Sequence, residues 1–185
     1  MLAVASLLSA CAVLPGMRDD TQPRSAAFDI LGRVLVAYGS NAFTANLRWL
    51  HAPERDELWL LTPTGQALVH IVDTARGATL TSMDQTAYHA GNVEALTKQA
   101  LGWELPLGRL QHWVRGTPVP ELAVGAAERD GDGRYVKFTQ DGWEVSYVYY
   151  AAPEQEGQPR RVELSNGENR IRLVIDSWRR EPGAP

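Results

Sequence analysis

The run "NVEALTKQALGWELPLGRLQHWVRGTP", residues 92–118, decides the fold because the hydrophobic period changes there. Val93, Leu96 and Ala100 recur at helical spacing, Asn92 stands where a helix cap belongs, and Gly102 stands where a helix ends. The second half repeats the design. Pro106 opens a first turn, Leu107, Leu110 and Val114 fall on one stripe, and Gly116 marks the stop. Both predicted helices are short and amphipathic, so each must lay its stripe on another element.

Strands on either side supply that element. "FDILGRVLVAYG" is a strand candidate from Phe28, and "AFTANLRWLH" places Phe43, Ala45, Leu47 and Trp49 on one face by period-two alternation. "ELWLLT" and "ALVHIVD" flank the turn "PTG" as a hairpin, and "ATLTS" is a weaker strand. After the helices, "RYVKFTQ" and "WEVSYVYY" are joined by "DG", and "RRVELSN" and "NRIRLVIDSW" by "NGE". Strands, two or three helices, then strands again predict an α+β fold: an antiparallel sheet with its helices gathered on one side.

The bulk numbers exclude some functions. A chain of 185 residues suits one domain with a tail. A formal charge of -4 gives no basic surface for nucleic acid. His51, His70, His89 and His112 show no metal-binding spacing, and neither a G-x-S-x-G elbow nor a P-loop is present. Asp130-Gly131-Asp132-Gly133 lacks the remaining ligands of a calcium loop and predicts a hairpin turn. No enzyme activity, cofactor or metal is expected. Bulky apolar content does stand out, with Trp49, Trp59, Trp143 and Trp178 all in strand candidates. These side chains either fill a core or line a cavity for an apolar ligand, and periodicity does not separate the two.

The N-terminus carries a different signal. Met1 to Ala10 is uncharged and apolar, too short to span a membrane, and ends in Leu8-Ser9-Ala10-Cys11. That tetrad resembles the lipobox of bacterial lipoproteins, in which the cysteine takes a diacylglyceryl thioether and becomes the first mature residue. Ala12 follows, not the aspartate that resembles an inner-membrane retention signal, which points to the outer membrane. No basic residue precedes the apolar run, leaving either a start codon upstream of Met1 or a chance match. The expected organisation is a removed signal segment (1–10), a lipidated flexible tether (11–26), one domain (27–180) and a short tail (181–185).

Together these landmarks resemble the LolB family of outer-membrane lipoprotein receptors. The resemblance rests on the lipobox, on Gly32 and Arg33, on "LLTPTG" at 60–65, and on "LGWELPLGRLQHWVRGTP" at 101–118. It extends through "QDGWEVSY" at 140–147 and "NRIRLVIDSW" at 169–178. The fold it implies is a strongly curved antiparallel sheet, an incomplete β-barrel, with two to three short helices as a lid over a hydrophobic cavity. The implied function is to accept lipoproteins from a periplasmic LolA-like carrier and to insert them into the outer membrane without nucleotide hydrolysis. The implied location is the outer membrane, lipid-anchored and facing the periplasm, as a monomer whose partners are carrier, client lipoproteins and outer-membrane lipid. Phe43, Leu47, Trp49, Trp59, Trp113, Trp143, Tyr147 and Leu173 are the expected acyl-chain contacts. The family's protruding loop, whose apolar tip is implicated in membrane insertion, aligns with Pro63, Thr64 and Gly65, where threonine replaces the tip leucine. The alternative is a structural or small-apolar-ligand-binding envelope lipoprotein of the same fold.

Overall fold

The computed structural model describes residues 27–151, 155, 157–167 and 169–179. The signal segment, Cys11, the tether and the tail lie outside the described residues. Six strands come first: β1 (Phe28–Tyr38), β2 (Asn41–Ala52), β3 (Arg55–Leu61), β4 (Ala67–Thr74), β5 (Gly77–Ser82) and β6 (Ala87–Ala90). Helices α1 (Val93–Leu101) and α2 (Leu107–Trp113) follow. The chain then returns as β7 (Val124–Arg129), β8 (Tyr135–Gln140), β9 (Trp143–Tyr149), β10 (Pro159–Asn166) and β11 (Asn169–Arg179). All belong to one antiparallel sheet in the order β6-β5-β4-β3-β2-β1-β11-β10-β9-β8-β7.

This order describes two hairpin meanders sewn together where β1 pairs with β11, while β6 and β7 stand at opposite edges. The residues between them, with both helices, carry the chain from one edge to the other. The strand assignments made from sequence fall on the observed strands, overrunning four of them by one residue, but β6 and β7 are additions. β6 has only four residues, and β7 reads "VGAAER", poor in β-formers and exposed along its whole length. Two helices are present among the described residues. Asn92 Oδ1 accepts from the Ala95 N–H at 2.8 Å, and Gly102 closes α1 in the left-handed region at φ +82°.

One face of the sheet is apolar because register brings alternate positions together. Trp49 opposes Ile30, Leu173 opposes Val34, and Ile171 opposes Leu164. The other face is wet, with ion pairs Arg33–Asp176 and Arg48–Asp29 and a Glu163 shared by Arg161 and Arg172.

Two residues hold the sheet and the helical connection in place. At Gly32 the β1–β11 register shifts, and a Cβ there would lie 2.2 Å from the Val174 carbonyl oxygen. Only a glycine lets the two backbones meet this closely. Gln140, buried on β8, accepts through Oε1 from Trp113 Nε1 and from the Val119 N–H, both at 2.9 Å. Its Nε2 donates to the Val119 and Leu122 carbonyls at 3.0 and 2.9 Å. One amide thus ties the end of α2 and the segment after it to the sheet.

Gly32→Ala is expected to destabilise the protein by on the order of 2 kcal/mol through overpacking, read as a lowered denaturant midpoint. Gln140→Leu keeps the bulk but strands the Trp113 and Val119 donors, and a loss of roughly 2–3 kcal/mol in the same measurement is expected.

Candidate functional site: an apolar cavity beside a polar cleft

Between the apolar face of the sheet and the helices lies a cavity of about 50 Å³. Its sheet wall comes from alternate positions, among them Val34, Leu47, Trp49, Leu58, Leu60 and Leu173. Its helical wall is Thr97 and Leu101 of α1, Leu110 of α2, and Trp103 and Leu105 between the helices. No charged side chain lines it among the described residues.

The polar atoms in this wall are handled individually. Trp49 Nε1 donates to Asp56 Oδ1 at 2.6 Å, and His51 Nδ1 lies 2.9 Å from the same oxygen. Phe28 packs edge-on against Trp49 and stacks on His51, both at 4.9 Å between ring centres. Together these rings form a buried stack beside the cavity. Thr97 Oγ1 donates to the Val93 carbonyl and accepts from the Leu105 N–H, both at 2.9 Å, which fixes the inter-helix connection. Trp103 is 8% exposed and stacks on Tyr38 at 6.0 Å, but its indole N–H has no partner.

Beyond Trp103 lies a polar cleft of about 550 Å³. It runs between the helix connection and the sheet turns that carry Gly39, Asp141 and Asn166. Lys98 pairs with Glu104 at 2.8 Å across it, and Arg109 pairs with Asp141.

The expected contacts are distributed unevenly. Leu47, Trp49 and Leu173 stand in the cavity wall. Phe43 is half-buried against Trp103, 6.5 Å between ring centres. Trp113 is fully buried under Gln140 and packs against Trp143, which also borders the polar cleft. Tyr147 packs between Phe138 and Tyr149 in the β8–β9 part of the core, where burial pushes its phenol pKa up.

Trp59 requires a correction, because it occupies the opposite face. Its ring stacks on His70 at 5.0 Å and lies beneath the Arg48 guanidinium at 5.4 Å. The reason is register: Trp49 opposes Leu58, so Leu58 and Leu60 face inward and Trp59 faces outward. The two-residue turn at Pro53-Glu54 carried that information, since it pairs Ala52 with Arg55 and thereby sets every later pair. Sequence reasoning also passed over Trp103, Leu101 and Leu105, which sit where α1 has already ended or is ending.

The "TPTG" turn is compact. The Thr62 carbonyl accepts from the Gly65 N–H at 2.9 Å, the Thr62 and Thr64 hydroxyls lie 2.8 Å apart, and Pro63, Thr64 and Gly65 are exposed. Its tip is polar. Among the described residues the most exposed large apolar side chain is Met83, at 64%, on the β5–β6 turn. Asp130 caps its own hairpin turn, accepting from the Asp132 and Arg134 N–H groups at 3.0 Å. Among the described residues no three metal-binding side chains gather, and no helix is long and apolar enough to cross a membrane.

Asp73 opposes Asp56 across β3 and β4. Burial, then the charges of Asp56 and Glu94, raise its carboxyl pKa. A raised folded-state pKa means stability that is present below the unfolded value, near 3.9, and lost as pH rises through the folded one. Asp73→Asn is therefore expected to raise the melting temperature at pH 7, with the gain fading towards pH 3 in thermal scans.

The chain has relatives in sequence and in fold. The chain is 36% identical to an outer-membrane lipoprotein LolB of Nitrosomonas europaea, over 91% of this chain and 80% of that one. It is 35% identical to the corresponding protein of an Azoarcus species, over 94% and 90%. A solved LolA superfamily protein from Nitrosomonas europaea shares the fold at a TM-score of 0.50 with 8% identity, over 88% of this chain and 89% of that chain. Residues 26–178 match the family described as outer membrane lipoprotein LolB, and the chain belongs to that family.

Proposed function

We propose that this chain is the lipid-anchored outer-membrane receptor of lipoprotein localisation, taking the acyl chains of a client from a periplasmic LolA-like carrier and passing them to the outer membrane. The observation that carries the reading is the apolar cavity between the sheet and the two helices. Membership in the LolB family and the lipobox cysteine, Cys11, support the outer-membrane placement. The LolA superfamily fold is shared, so the anchor is what separates a receptor from a diffusing carrier.

The physical task is graded affinity. At about 0.8 kcal/mol per buried methylene, exposing whole acyl chains to water would cost tens of kcal/mol, so they must stay shielded throughout transfer. The receptor must hold them more tightly than the carrier and less tightly than the bilayer. No nucleotide is needed for such a ladder.

The cavity is much smaller than this cargo. An apolar hole of about 150 Å³ holds one benzene, and this cavity measures about 50 Å³. Chains therefore enter by displacing part of the wall. The segment that carries Leu101, Trp103 and Leu105 serves as the lid, because the hydrogen bonds of Gly102 to Lys98 and of Leu105 to Thr97 tie it to α1 and not to the sheet. Leu47, Trp49 and Leu173 receive the chains. Phe43 becomes a contact as Trp103 shifts, and Trp113, Trp143 and Tyr147 as the space enlarges towards β9.

Leu173→Trp adds bulk where the chains enter. In a reconstituted transfer from carrier to outer-membrane vesicles, client delivery is expected to fall at least tenfold while circular dichroism stays unchanged. Undiminished delivery by the folded variant would remove this cavity from the pathway. Failure of the unsubstituted protein to take up any acyl cargo would favour a structural envelope lipoprotein.

A further inference from the structure

Of the side chains in the cavity wall, Trp49, Thr97 and Trp103 carry a polar atom. The first two have partners within the protein, and the indole N–H of Trp103 has none. A buried donor without an acceptor is a standing cost, and such a group calls for an explanation. Its location supplies one. Trp103 stands in the wall of both the apolar cavity and the polar cleft.

We propose that Trp103 is a headgroup-reading residue: its N–H donates to the ester carbonyl that joins an acyl chain to the glycerol of the client's lipidated cysteine. This deepens the proposed function and rests on it. Hydrocarbon fills the chamber on one side of Trp103, the client's polar portion occupies the cleft on the other, and a carbonyl sits where the two meet. An ester carbonyl is acceptor-only, which matches a lone donor.

The surrounding charges favour a neutral acceptor over an anionic one. Lys98 is paired with Glu104 and Arg109 with Asp141, and Glu94 adds a further acid to the same cleft. A fatty-acid carboxylate or a phosphate would therefore meet a neutralised or negative wall. The N–H is covered in the closed state, so the bond forms as the lid shifts to admit the chains.

The test compares two synthetic lipopeptides on the full chain. One carries an S-dipalmitoylglyceryl cysteine, and the other is its dihexadecyl ether counterpart, which keeps the hydrocarbon but lacks the carbonyls. The ester is expected to bind about tenfold tighter, the weight of one buried hydrogen bond. Trp103→Phe should bring the ester-to-ether ratio to about one. Independently of any variant, the Trp103 indole N–H resonance should move downfield with the ester and not with the ether. Equal binding of both ligands by the unsubstituted protein, an unchanged ratio in Trp103→Phe, or an indole resonance indifferent to the ester would each overturn the assignment while leaving the acyl cavity intact. Binding of neither ligand would sink the receptor reading and this assignment with it.

Discussion

Everything in this molecule depends on the seam between β1 and β11. Each meander alone is a ribbon with two edges and half an apolar face. Their union makes a single sheet broad enough for helices to be laid across it. Gly32 permits the union at the point where the register shifts, because any side chain there would strike the Val174 carbonyl. The first and last strands must therefore meet before an interior exists at all. The fold is long-range by construction, and topologies of that kind fold slowly.

A second feature of the interior is the use of single buried polar side chains to pin neighbouring elements. Gln140 uses all its hydrogen-bonding capacity to hold α2 and the following segment to β8. Asp56 receives Trp49 and His51 on one oxygen and steadies the aromatic stack against Phe28. By contrast the stretch around Trp103 is tied by Thr97 to Leu105 and leaves its indole unpaired. The same few residues separate an apolar chamber from a polar cleft. Firm anchoring at α2 and looser holding between the helices divide the crossover into a fixed part and a yielding part.

Much of this was legible in the sequence. Period-two alternation found the strands on either side of the helices, and Asn92, Gly102 and Pro106 bounded those helices to within a residue or two. The site was less readable. "ELWLL" is apolar on both faces, so composition favoured the large ring of Trp59, whereas strand register turns Leu58 and Leu60 inward. β7 escaped notice because an exposed edge strand needs no apolar face. Trp103 falls between two helices, where neither period applies, and its position between chamber and cleft arises from three-dimensional assembly.

The separation of β6 and β7 at opposite edges has a mechanical meaning. A closed barrel is a hoop, and widening it means tearing a ladder of backbone hydrogen bonds. An open sheet behaves as a leaf spring, whose curvature can relax with every ladder intact, resisted only by side chains packed in the bend. Compliance of this kind leaves the chamber between sheet and helices free to widen without the loss of a single strand pairing.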